Sequence, residues 1–177
     1  ATLSPASISA PITAGSREAG PSVHTILVRK GWPRTVRRVK LMAGNHDVYT
    51  FESVRMKRFE QFFGEFMPQG GYPSLDRLPG GTPLIIVPTV CPNWLSSAGR
   101  VTDADVDATR ALLDDCADGP ILVAGHYPLL HRTRHYDSGS SRQIRNAEAL
   151  RDALGQSGRT ILYIAGHVHR FSYTQDP

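Results

Sequence analysis

Residues 160–169 read Thr160-Ile161-Leu162-Tyr163-Ile164-Ala165-Gly166-His167-Val168-His169. A short apolar run of this kind predicts a buried strand, and the glycine at its exit lets the chain turn where a side chain would clash. The same arrangement stands twice upstream, as Leu41-Met42-Ala43-Gly44-Asn45-His46 and Ile121-Leu122-Val123-Ala124-Gly125-His126. Three such strands would deliver His and Asn side chains to one edge of a sheet, where open α/β sheets place their ligands. That recurrence points to a metal site.

Upstream, residues 36–43 predict a strand that ends at the Gly44 turn. Residues 52–66 carry Val54, Phe59, Phe62, Phe63 and Phe66 at spacings of three and four, an amphipathic helix whose aromatic stripe is expected in the core. Pro68 and Gly70-Gly71 close it. Residues 83–88 give another strand, and Thr102-Asp103-Ala104-Asp105 opens a capped helix with Val106, Leu112, Leu113 and Cys116 facing inward. A strand at 120–124 follows, then a polar loop, then a helix capped by Asn146 that runs through Leu150 and Leu154 and stops near Gly155 and Gly158. The last strand is 160–165. Strand and helix alternate, so the fold class is α/β.

Composition bounds the function. The chain has 177 residues, 40% apolar and 20% charged, ordinary for a globular protein with a real core. Its apolar runs break at Pro or Gly well short of the roughly 18 residues of a membrane span. Cys91 and Cys116 lack any Cys-x-x-Cys spacing and read as buried free thiols, which places the chain in a reducing cytoplasm. The net charge of +4 is uneven. Residues 1–40 carry seven Lys/Arg against Glu18, a net +6, and the remainder carries thirteen against fifteen, a net −2. The body of the chain therefore offers no basic surface for nucleic acid. Residues 1–16 are uncharged and rich in Ala, Ser, Pro and Thr, without the pattern of a secretory signal. Residues 1–35 are expected to be weakly structured, and residues 36–177 to form the domain.

The chemistry lies in the turns. Gly44-Asn45-His46-Asp47 offers a metal the neutral oxygen of Asn45, a proton carrier in His46, and in Asp47 a carboxylate to hold that ring, though the same residues are also good turn formers. Gly166-His167-Val168-His169 lets two imidazoles converge in a tight exit, where neighbouring ions can each take one; otherwise they are an exposed pair on a turn. His126 supplies another imidazole, in a turn stiffened by Pro128. No Gly-x-Ser-x-Gly elbow and no Gly-x-x-x-x-Gly-Lys loop occurs, which argues against serine hydrolases and P-loop nucleotidases.

The ordered set Gly-Asn-His-Asp, Gly-His and Gly-His-x-His resembles the signature of the calcineurin-like metallophosphoesterases, over about residues 36–171. Residues 143–154 are similar to the helix before the last strand in bacterial members that include cyclic-nucleotide phosphodiesterases. The resemblance implies a two-sheet β-sandwich flanked by helices, and a hydrolase that cleaves phosphomonoesters or phosphodiesters with metal-activated hydroxide. It implies two divalent ions (Mn, Fe or Zn), with Asn45, His126 and His167 on one and His169 on the other. His46 would stabilise the transferring phosphoryl group or protonate the leaving oxygen, with Asp47 orienting it. Tyr127, His131, Arg132, Arg134, Arg142 and Arg145 are candidate contacts to a small phosphorylated substrate, or else a solvated basic loop. No nucleic-acid or membrane partner is implied.

The chain departs from the pattern before Gly44. The family carries Asp-x-His and Gly-Asp-x-x-Asp on its first strands, yet no Asp precedes Asp47, and His24 has no carboxylate two residues upstream. Bound Asn45, His126, His167 and His169 are all neutral, so they do not offset the charge of two ions. One ion or none is expected here, with the N-terminal strands missing and residues 1–35 foreign to the fold. Unpaired sheet edges would then favour oligomers. The alternative function is a catalytically inactive fragment or binding module that holds at most one metal.

Overall fold

A computed structural model describes residues 39–93, 95–96, 98–130, 144–169 and 171–176. All belong to one unit, Arg34–Pro177. His131, Arg132, Arg134 and Arg142 lie outside the described residues, as do positions 1–38.

Among the described residues, helices α1 (Phe51–Arg55) and α2 (Arg58–Phe63) come first, followed by a 3-10 turn at Gly64–Phe66. Strands β1 (Ser74–Arg77), β2 (Pro83–Ile86) and β3 (Gly99–Arg100) precede α3 (Asp103–Asp114). Then come β4 (Ile121–Gly125), β5 (Ile144–Arg145), α4 (Ala147–Gln156) and β6 (Ile161–Ala165). One sheet has the order β1-β2-β4-β6, and β3 pairs with β5 in a second. The class is mixed α/β, as the alternation in the sequence implies, and among the described residues two sheets are flanked by helices, as the family resemblance implies.

β2, β4 and β6 are parallel, and β1 closes the edge antiparallel to β2. Side chains alternate across a strand. Ile85, Ile121 and Val123 therefore fall on the face that shares a core with Val106 and Leu113 of α3 and Leu150 and Leu154 of α4. Each fully buried aliphatic side chain there contributes about 1.5–3 kcal/mol. The other face is apolar too. Register aligns Leu84 with Leu122 and Leu162, and Ile86 with Ala124 and Ile164. This face is closed at Ile86 and open at β6, where Leu162 is 55% and Ile164 46% exposed.

The α3 capping box forms as its sequence foretells. Thr102 Oγ1 accepts from Asp105 N–H at 3.1 Å while Thr102 N–H donates to Asp105 Oδ2 at 3.0 Å. Val106, Leu113 and Cys116 are buried, and Leu112 packs against the core.

Three expectations are corrected. Residues 39–43 are irregular, because the amide of Leu41 donates to Phe66 O and its carbonyl accepts from the Tyr72 hydroxyl, leaving neither for a ladder; residues 36–38 are not described. The helix at 52–66 breaks at Lys57, which takes the left-handed conformation at φ 49°, and the Gln61 amide covers the freed Met56 carbonyl at 3.0 Å. Of its apolar stripe only Phe59 is buried, while Val54 and Phe62 are exposed. Asn146 makes no side-chain cap; its backbone is left-handed, and its Nδ2 donates instead to Asp103 Oδ1 at 2.8 Å, tying α4 to the start of α3. β1 had no counterpart in the sequence reading, since Ser-Leu-Asp-Arg shows no apolar run.

Candidate metal centre

β4 sits between β2 and β6, and Gly125 pairs with Ala165, so the exits of β4 and β6 stand side by side. Gly166 N–H donates to His126 O at 3.0 Å, which locks the two exit turns together. The glycines matter through close approach. A β-carbon on Gly125 would collide with the Tyr163 hydroxyl, and that hydroxyl donates to Tyr127 O at 3.0 Å. The left-handed residues of the β6 exit are histidines: His167 has φ 60° and His169 φ 54°, around a tight Val168 N–H to Gly166 O bond of 2.7 Å. Positive φ is uncommon for a residue with a β-carbon and collects at functional sites.

The Gly44 turn arrives from elsewhere in the chain. Asp47 N–H donates to Gly44 O at 3.1 Å, and Gly44 N–H donates to Asp47 Oδ2 at 2.8 Å. This reciprocal closure buries Asn45, which is 8% exposed, and aims its amide at β4. Asn45 Oδ1 lies 2.9 Å from His126 Nε2, across 81 residues of sequence. The His167 ring stands beside them, its centroid 5.3 Å from that of His126 and 4.2 Å from that of Tyr127.

Burial lowers the His126 pKa below the usual imidazole value. Asp47 opposes that effect, while His169 and His46 add to it. The groups that act on His126 thus come from the Gly44 turn and from the β6 exit. A neutral imidazole at neutral pH is the form that binds metal.

Asn45 Oδ1 and His126 Nε2 are joined directly, at hydrogen-bond distance, and both atoms are of the kind that ligate divalent cations. A fuller shell is not assembled: among the described residues, no three His, Cys, Asp or Glu side chains converge as a metal-holding group.

The other candidates differ in their surroundings. His46 is exposed, with its ring edge-on to Tyr49 at 5.2 Å, and Asp47 spends its Oδ2 on the Gly44 amide. His169 is exposed. Tyr127, offered by the sequence as a substrate contact, is entirely buried. Its ring packs edge-on to His126 at 5.1 Å and against His167, so it supports the imidazoles from the core side. Arg145 is exposed in β5. The sequence reading passed over Thr89 and Tyr163, which hold the β4 exit, because a lone hydroxyl in or after an apolar strand carries no motif.

The calcineurin-like phosphoesterase family model matches residues 15–171. The chain belongs to that family, whose members are hydrolases that typically bind divalent metal ions. No curated protein and no solved structure matches the chain. The match begins upstream of residue 36 and takes in Gly44-Asn45-His46-Asp47, Gly125-His126 and Gly166-His167-Val168-His169 together.

Proposed function

We propose that this chain is a divalent-metal-dependent phosphoesterase that hydrolyses small phosphomonoesters or phosphodiesters. The observation that carries the reading is the meeting of Asn45 Oδ1 and His126 Nε2 at 2.9 Å, from two turns remote in sequence. These two side chains would hold one ion with His167 beside them, and His169 would face a second. A divalent ion lowers the pKa of bound water from about 15.7 to about 7 and polarises a phosphoryl oxygen. His46, exposed and free of the Asn45–His126 pair, would hand a proton to the leaving oxygen, a contribution of about 10²- to 10⁴-fold. Asp47 would keep the Gly44 turn closed, and Arg145 with the 131–142 basic residues would meet substrate phosphate.

The test is turnover of bis(p-nitrophenyl) phosphate with Mn²⁺. Activity that disappears in His167→Ala supports the reading; no turnover, with less than one metal per chain, defeats it.

A second reading, an inactive binding module with at most one metal, is favoured by one observation. Asp47 is the only carboxylate within the three motifs, one of its oxygens is taken by the Gly44 amide, and no three His, Cys, Asp or Glu side chains converge among the described residues. One tightly held ion without turnover would select it.

A further inference from the structure

The polar backbone groups of His126 and Tyr127 are all taken by neighbouring strands. Both N–H groups donate to Thr89 Oγ1, at 2.9 and 3.2 Å. The His126 carbonyl accepts from Gly166 N–H at 3.0 Å, and the Tyr127 carbonyl from the Tyr163 hydroxyl at 3.0 Å. Thr89 follows β2 on one side of β4, whereas Gly166 and Tyr163 belong to the β6 side. The β4 exit is thus gripped from both flanks.

Thr89 is the buried half of that grip, at 0% exposure. A hydroxyl oxygen has two acceptor lone pairs, and here each receives an amide. The residue is itself pinned: its carbonyl accepts from Arg100 N–H at 3.1 Å, and its methyl faces Gly125, where a β-carbon would stand 3.1 Å from Cγ2.

We propose that Thr89 is a positioning residue of the candidate metal centre, which sets the aim of the His126 imidazole at Asn45 by holding the two amides of the β4 exit turn. The inference rests on the metal-dependent reading above for its functional consequence, but the aim of the ring belongs to the metal-free chain as well. Without the hydroxyl, one part-buried and one buried amide lose their acceptor, and the turn must tilt to find another. His126 Nε2 then leaves the 2.9 Å register with Asn45 Oδ1. Groups that orient a ligand in this way change metal affinity by about 10- to 100-fold when removed.

The experiment compares Thr89→Val, Thr89→Ser and Thr89→Ala in the full chain, with Leu150→Ala, a core variant on α4 that removes no hydrogen bond of the turn, as a control for lost stability. Two readouts are taken: the ring proton and nitrogen resonances of His126 in metal-free protein, and Mn²⁺ affinity by calorimetric titration. Thr89→Val is expected to shift the ring resonances and weaken Mn²⁺ by about 10- to 100-fold, while Thr89→Ser stays near the native values in both. Leu150→Ala lowers the melting temperature and moves neither. Should Thr89→Val not fold, the Ser and Ala variants, which differ only in the hydroxyl, decide the matter. Native resonances and affinity in Thr89→Val, or in Thr89→Ala beside Thr89→Ser, overturn the inference. If the native chain takes up no Mn²⁺, the metal reading falls alone, because the metal-free resonances still report whether Thr89 aims the ring.

Discussion

The edge of the His126 imidazole lies so close to Gly44 that a β-carbon there would stand 3.0 Å from Cε1 and 3.3 Å from Nδ1. A side chain at position 44 would require the ring to give way by a few tenths of an ångström. Gly44→Ala is therefore expected to push the ring away from Asn45 and weaken Mn²⁺ affinity by about tenfold or more, as displaced ligands do. Calorimetric titration checks it, and an unchanged affinity would mean that the ring has room to move aside.

Metal binding should stabilise the fold. An ion held by Asn45 and His126 joins two turns 81 residues apart, and at a hundred times its dissociation constant a ligand adds about 2.7 kcal/mol. A melt with Mn²⁺ should therefore run several degrees above one with EDTA, and Asn45→Ala should erase the difference. A shift that survives Asn45→Ala would place the ion elsewhere.

Tyr72 couples the site to alkaline pH. Burial pushes its hydroxyl from 10.0 up to about 12, while the hydroxyl donates to the Leu41 carbonyl on the segment that leads into Gly44. The folded state holds this proton more tightly than the unfolded chain, whose tyrosine releases it near pH 10. Its stabilisation is thus complete below about pH 10 and is lost as pH rises toward 12. Tyr72→Phe should flatten that part of the stability curve, and phenolate absorbance should show one late-titrating tyrosine that the variant lacks.

α4 enters the shared core through Leu150. Leu150 is 0% exposed within the shared core, so Leu150→Ala should cost about 2–5 kcal/mol in urea denaturation, the range for a buried leucine that leaves a cavity. A loss far below that range would mean that the helix relaxes into the space.

Much of the fold is legible because it is locally encoded. The runs before Gly125 and Gly166 are apolar at every position and became β4 and β6. Thr102 and Asp105 specify the α3 start through bonds only three residues long. Three of the misreadings share one cause, competition from distant partners. Residues 39–43 look like a strand, yet Phe66 and Tyr72 take the backbone groups of Leu41. Asn146 looks like a cap, yet Asp103 takes its amide. Tyr127 follows a candidate ligand and looks like a contact, yet its ring fills the core against His167.

By itself the sequence determined the family, the order of the Gly-Asn-His-Asp, Gly-His and Gly-His-x-His motifs, and the alternation of apolar runs that makes an α/β sheet. Hydrophobic period and turn chemistry act within a few residues, so they can be read along the chain. Only the tertiary structure decided that Asn45 meets His126, that Thr89 holds the turn beneath that imidazole, and that Asp47 closes its own turn. Those contacts depend on which strands pair and in what register. Pairing and register are set by the packing of whole faces, which no single stretch of residues contains.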